Sequence, residues 1–206
     1  MKPAPFAYKK ARALDEAVAL LGEHKDARLL AGGQSLIATL NMRLSAPSLL
    51  IDINGLSGLD QIEAKGGQKN EMVEIGALVR HAQAERSDVI VKHAPLIARA
   101  MPHIGHTAIR NRGTLGGSIA FADPAAELPA CLLALDGEVE ASGPKGARTI
   151  KAADFFKGFI DCRQQLTSII PIRHKRIYRS HGIQRLFQPE KIPGQEVGSS
   201  GPHKQK

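Results

Sequence analysis

The chain has 206 residues, 43% hydrophobic and 23% charged, with a formal net charge of +8. This is the composition of a soluble globular protein whose core needs no disulfide framework, and no run approaches the ~20 apolar residues of a membrane span. The charge is a poor argument for nucleic acid: residues 161–206 hold nine of the 28 Lys and Arg and three of the 20 acids, which leaves 19 against 17 on residues 1–160.

The N-terminus, MKPAPFAYKKARALDEA, lacks the apolar core of a signal peptide. Cys131 and Cys162 provide neither a disulfide framework nor a metal-ligand spacing. A cytoplasmic protein is expected.

Residues 13–21, ALDEAVALL, space Leu14, Ala17, Val18 and Leu21 as one helix face, with Gly22 as its stop. RLL at 28–30 reads as a strand, and a helix through Ile37, Leu40 and Met42 follows, ending near Pro47. SLLIDI at 48–53 and EMVEIGA at 71–77 are short β-rich runs separated by Gly-rich polar sequence. The stretch 79–101 is helical in character. AAELPACLLAL at 125–135 predicts a buried helix, GEVEASG a strand, Gly143 to Gly146 a hairpin, and ADFFKGF a last helix. Alternating strands and helices imply an α/β or α+β domain. Beyond about residue 160 the sequence loses sustained periodicity and ends in Gly, Ser, Pro and charge, the texture of a basic disordered tail.

Two glycine-rich stretches stand out. In RLLAGGQSLI, residues 28–37, Gly32 and Gly33 sit between strand and helix, where glycine weakens either element. They mark a turn whose backbone does something a side chain would prevent. In IRNRGTLGGSIAFADPAAELPA, residues 109–130, Gly113, Gly116 and Gly117 share a loop with Asn111, Thr114 and Ser118. Successive N–H groups in such loops converge into a nest for a phosphate oxygen, and a helix N-terminus nearby adds a favourable dipole. Two such loops about 80 residues apart would grip the two halves of a pyrophosphate, with Asp123 as an acceptor for ribose hydroxyls. The residues alone leave a second reading open: each loop is a tight turn, and Asp123 before Pro124 is a helix cap. Neither stretch fits G-x-G-x-x-G or G-x-x-x-x-G-K-[ST].

LLAGGQSLI followed by IRNRGTLGGSIAFADPAAELPA resembles the FAD-binding medium subunit of the molybdenum hydroxylases, the xanthine dehydrogenase and carbon monoxide dehydrogenase family. The resemblance runs from FAYKKARALDEAVALL to FFKGF near residue 159. It implies an α+β fold of the vanillyl-alcohol-oxidase/PCMH type, not a Rossmann sheet. Residues 1–160 would form the FAD-binding domain, as two α/β subdomains of about 1–55 and 56–160. The FAD diphosphate would lie on Ala31, Gly32, Gly33, Gln34 and Ser35 and on Thr114, Leu115, Gly116, Gly117 and Ser118, with Asp123 on the adenosine side. Gln34 fits a variable polar position of the family, and Glu127 stands where Asp is common.

The resemblance further implies an oxidoreductase subunit that passes electrons from a molybdenum-cofactor large subunit and a [2Fe-2S] small subunit through FAD to an acceptor. No catalytic side chain and no metal ligand is nominated, since the flavin itself carries the redox chemistry. His103 and His106 lack a third ligand at a convincing spacing, Cys131 reads as a core thiol, and Arg110 and Arg112 are candidates to balance the diphosphate charge. A stand-alone FAD oxidase is the first alternative. A nucleic-acid binder using Arg163, Arg173, Lys175, Arg176, Arg179 and Arg185 with Tyr178 and Phe187 is the second. The resemblance stops at Asp161, where relatives continue into a T-L-x-x-x-E-I-L segment and a further domain. The abrupt basic sequence at 161–206 reads as a frameshifted or truncated gene.

Overall fold

The computed structural model describes residues 2–65 and 72–156, and the backbone of 172–175. The chain begins with β1 (Ala7–Lys10), α1 (Leu14–Glu23), β2 (Arg28–Leu30), α2 (Leu36–Asn41) and β3 (Leu49–Asp52). These strands form a parallel sheet in the order β1-β3-β2. The central strand is apolar over Leu49, Leu50 and Ile51 and buried along its length, as parallel strands covered by crossover helices are. α1 lays Ala17, Leu20 and Leu21 into the same core. Gly22 lies inside α1 instead of ending it, and His24 is the cap. The helix runs one exposed residue, Glu23, past the glycine, which lowers helix propensity without forbidding the turn.

The chain continues through β4 (Ile62–Lys65), β5 (Met72–Ile75), α3 (His81–Glu85), α4 (Asp88–His93), α5 (Pro95–Ala100), a 3-10 turn at Met101–His103, α6 (Thr107–Arg110), α7 (Leu115–Phe121) and α8 (Glu127–Ala134). It then forms β6 (Glu138–Gly143), β7 (Gly146–Lys151), α9 (Ala152–Phe155) and β8 (Ile172–Lys175). The second sheet is antiparallel throughout, in the order β4-β5-β8-β6-β7, where the resemblance implies a second α/β subdomain. Its core gathers Val73, Ile75, Val79, Ile90, Leu115 and Ile119 among others. The segment 76–79 belongs to both cores, Ala77 and Leu78 to the first and Val79 to the second.

The stretch 79–101, helical in character by sequence, forms three short helices, α3, α4 and α5. Ser87 caps α4 by accepting from the Ile90 N–H, and Pro95 opens α5, each a start signal that interrupts the preceding helix. Of the ADFFKGF stretch, the described residues form α9 up to Phe155, while residues 157–159 lie outside the described residues. Within the expected tail, Ile172–Lys175 forms β8, paired with β5 from Met72 to Ile75 and with β6 at Glu138 and Val139. Four residues carry no period to read, and this strand is specified by the two neighbours that flank it. Residues 161–171 and 176–206, with Cys162 and most of the arginines considered for nucleic acid, lie outside the described residues. No helix among the described residues is long and apolar enough to cross a membrane.

Candidate functional site

The two glycine loops, distant in sequence, meet in the fold. A Cβ built on Gly32 would fall 2.4 Å from the Arg112 carbonyl oxygen and 2.8 Å from the Gly113 Cα. Only glycine allows the loops to touch backbone to backbone there. The immediate neighbour of Gly32 is therefore the second loop itself. Gly33 is glycine for another reason: its φ is +71°, the left-handed region that side chains resist.

The loops differ in how they use their backbone. In the first, no acceptor among the described residues bonds the N–H groups of Gly32, Gly33, Gln34 and Ser35. They precede α2, and their residues are half-buried or exposed. The Gln34 side chain folds back, donating to the Gly32 carbonyl at 3.1 Å. In the second loop every comparable N–H is engaged. Leu115 donates to Val79 O at 3.0 Å, Gly116 to Ala77 O at 3.1 Å and Ser118 to Thr114 O at 3.0 Å. Gly117 donates to Thr114 Oγ1 at 3.1 Å. The expected nest of converging N–H groups is absent from 115–118, because these residues open α7 with Thr114 as its N-cap. Gly116 meets the backbone of the 76–79 segment: a Cβ there would sit 2.6 Å from Ala77 Cα.

The remaining predicted residues sort as follows. Thr114, 2% exposed, uses its hydroxyl oxygen as an acceptor and keeps the O–H as a donor. Ser118 is half-buried. Asp123 is not the cap of α8, whose cap residue is Ala126; its carboxylate accepts from the Ala125 N–H at 2.9 Å in an Asx turn. Arg110 is committed elsewhere, paired with Glu85 at 3.0 Å and donating to the Ile104 and Gly105 carbonyls. Arg112 is exposed. His103 and His106 are exposed, and no cluster of metal-ligating side chains occurs among the described residues. Cys131 is buried, and desolvation pushes its thiol up to about 11.

A polar network behind the loops was not foreseen from sequence. The Tyr8 hydroxyl donates to Asp52, 9% exposed at the end of β3. Asp52 Oδ1 accepts from both the backbone N–H and the side-chain amide of Asn54, each at 2.8 Å. Burial raises the Asp52 carboxyl, but the bonds from Tyr8 and Asn54 and the charge of Lys10 outweigh it, holding it below the ordinary value. Asn54 Nδ2 also donates to Ala31 O at 2.8 Å and Leu30 O at 3.3 Å, and its Oδ1 accepts from Arg80 at 2.6 Å. Arg80 donates in turn to the Arg112 carbonyl. The only sequence signal was D-x-N after an apolar strand, an Asx-type turn pattern. Nothing local in the sequence pairs it with Arg80.

His81 follows Arg80, and its ring lies against Gly113, where an added Cβ would come within 2.8 Å. The residue is 5% exposed, and neither ring nitrogen has a hydrogen-bond partner among the described residues. Desolvation lowers its pKa below 6.5, with the Thr114 backbone and Glu127 opposing.

Four unbonded amides, a hydroxyl donor and two cations at one seam suit a ligand rich in anionic oxygens, and a diphosphate fits this donor set. Residues 4–171 match the family described as FAD binding domain in molybdopterin dehydrogenase, a match that continues past Asp161. The nicotine 6-hydroxylase medium subunit of Paenarthrobacter nicotinovorans is 43% identical over 158 residues, 77% of this chain and 54% of that protein. The carbon monoxide dehydrogenase medium chain of Hydrogenophaga pseudoflava is 39% identical over 159 residues, 77% of this chain and 54% of its own length. A solved structure of that organism's carbon monoxide dehydrogenase, lacking the Mo-pyranopterin moiety of the molybdenum cofactor, superposes with a TM-score of 0.81 at 36% identity, covering 87% of this chain and 62% of the other. The chain spans about half the length of the curated relatives it matches. It belongs to the family of FAD-binding domains of molybdopterin dehydrogenases.

Proposed function

We propose that this chain is the FAD-binding part of a molybdenum hydroxylase medium subunit, and that the seam between the two glycine loops holds the FAD diphosphate. The observation that carries the reading is the set of unbonded N–H groups from Gly32 to Ser35, pressed by Gly32 against Arg112–Gly113. Backbone amides of this kind bind phosphate oxygens without a dedicated side chain.

The second loop plays a different part. Thr114 and Ser118 offer hydroxyls and Gly117 a small surface, while Leu115 and Gly116 hold the loop to the 76–79 segment and line the site without donating. Asp123, on the turn before α8, is assigned to the adenosine end. The PCMH-type arrangement, with the dinucleotide extended between the parallel and antiparallel sheets, is part of the proposal.

Bound FAD supplies the electron-accepting ring, and the protein supplies orientation and electrostatics. Electrons would arrive from a molybdenum-cofactor large subunit through a [2Fe-2S] small subunit and leave to an acceptor, within the cytoplasm. Residues 1–160 are assigned to cofactor binding, and Ile172–Lys175 joins the antiparallel sheet.

The test is the visible absorption spectrum of the purified chain after incubation with FAD and gel filtration. Flavin bands at about one FAD per chain are expected. A folded protein that emerges colourless overturns the reading.

A further inference from the structure

We infer that Arg80 is a positioning residue that sets the spacing of the two glycine loops and, through it, the affinity for the cofactor's diphosphate; this rests on the reading of those loops given above. Arg80 stands immediately before α3 and is half-buried. A guanidinium is a rigid planar fork whose arms point in fixed directions. One arm donates to the Arg112 carbonyl of the second loop. The other donates to Asn54 Oδ1 at 2.6 Å, and the Asn54 amide donates onward to the Ala31 and Leu30 carbonyls of the first loop. One guanidinium and one carboxamide thus span the seam and end on main-chain carbonyls at both sides. Asp52 fixes Asn54 from behind, and Tyr8 fixes Asp52.

The charge balance shows that the bridge does more than hold backbone together. No carboxylate among the described residues forms an ion pair with Arg80. Burial and the charge of Arg112 both disfavour its cationic form, and only Asp52 acts in the opposite sense. A neutral side chain could serve two neutral acceptors at less desolvation cost. A half-buried cation beside a second cation is favoured where an anion completes the seam.

The test measures FAD dissociation constants by equilibrium dialysis for the wild-type chain, Arg80→Lys, Arg80→Met and Asn54→Ser, with circular dichroism as a check on folding. Lysine keeps the charge but is a point donor on a flexible stem, so it does not span both acceptors. Arg80→Lys and Arg80→Met are each expected to weaken FAD binding by about tenfold or more, and millimolar methylguanidinium is expected to restore part of the loss in Arg80→Met. Should Arg80→Met not fold, Asn54→Ser breaks the same bridge from its other end and is expected to show the same loss. Wild-type affinity in Arg80→Lys or Asn54→Ser overturns this inference alone. A wild-type chain that takes up no FAD overturns the loop reading and this inference with it.

Discussion

The Gly32–Ser35 and Thr114–Ser118 loops look interchangeable as sequence. Each offers two adjacent glycines, a serine and the start of a helix, yet the first leaves its N–H groups unbonded among the described residues and the second engages those of Leu115 to Ser118 inside the protein. On the proposed reading the first is the binding surface and the second is the wall that holds it in place. Glycine density does not distinguish these uses. What distinguishes them is whether a neighbouring strand or cap competes for the amides, and for 115–118 the competitors are the Val79 and Ala77 carbonyls and the Thr114 hydroxyl.

This contrast is open to direct attack. The largest effect should come from the wall: Gly116→Val places atoms where a Cβ already sits 2.6 Å from Ala77 Cα, and overpacking against backbone costs on the order of 3 kcal/mol. Thermal unfolding should show the midpoint falling by roughly 6–12 °C, and an unchanged midpoint would break the distinction. Gly33→Ala should act mainly on binding. A methyl at φ +71° costs about 1 kcal/mol of stability, while displacement of the unbonded amides should weaken FAD binding more than it lowers the melting midpoint.

The pH dependence probes the packing between His81 and the wall. The His81 pKa is lowered from 6.5 by burial, so the unfolded chain takes up its proton first as pH falls. The stability contribution is intact above pH 6.5 and is lost as pH drops from there toward the folded-state value. His81→Leu should flatten that part of a denaturant-derived stability profile, and an identical slope in both proteins would remove His81 as its source. The smallest effect, of opposite sign, is expected at Gly22. It lies inside α1, and an added Cβ would find only Pro144 Cγ, 3.9 Å away. Gly22→Ala should stabilise by about 0.5–1 kcal/mol, read as a raised urea midpoint.

Much of the framework was legible because it is periodic or punctuated. The strands at 28–30, 49–52 and 72–75, α1, α8 and the 138–151 hairpin follow from apolar runs, helical spacing and turn residues. β1 and β4 escaped because they are short and mostly exposed, with no hydrophobic alternation to read. α7 was hidden by Gly116 and Gly117, poor helix formers that are tolerated because Thr114 caps the first turn and because a larger residue at 116 would strike Ala77. At the site, the loops announced themselves, but the Tyr8–Asp52–Asn54–Arg80 chain did not. Its members lie 44, 2 and 26 residues apart in sequence, and only the sheet order and the return of the chain through 76–81 bring them together.

The placement of β8 bears on how the protein is made. The pairs β4–β5 and β6–β7 are local hairpin-like units that can form soon after synthesis, but the strand between them is Ile172–Lys175. It leaves the ribosome roughly a hundred residues after β5, a delay of about 5–20 s at ordinary elongation rates. For that interval β5 carries an open edge, joined by that of β6 once Glu138–Gly143 has been made, the kind of surface on which neighbouring nascent chains add strands. Closing the sheet is a high-contact-order event, slow beside the local pairings it joins, and the time to β8 sets how long those edges stay exposed.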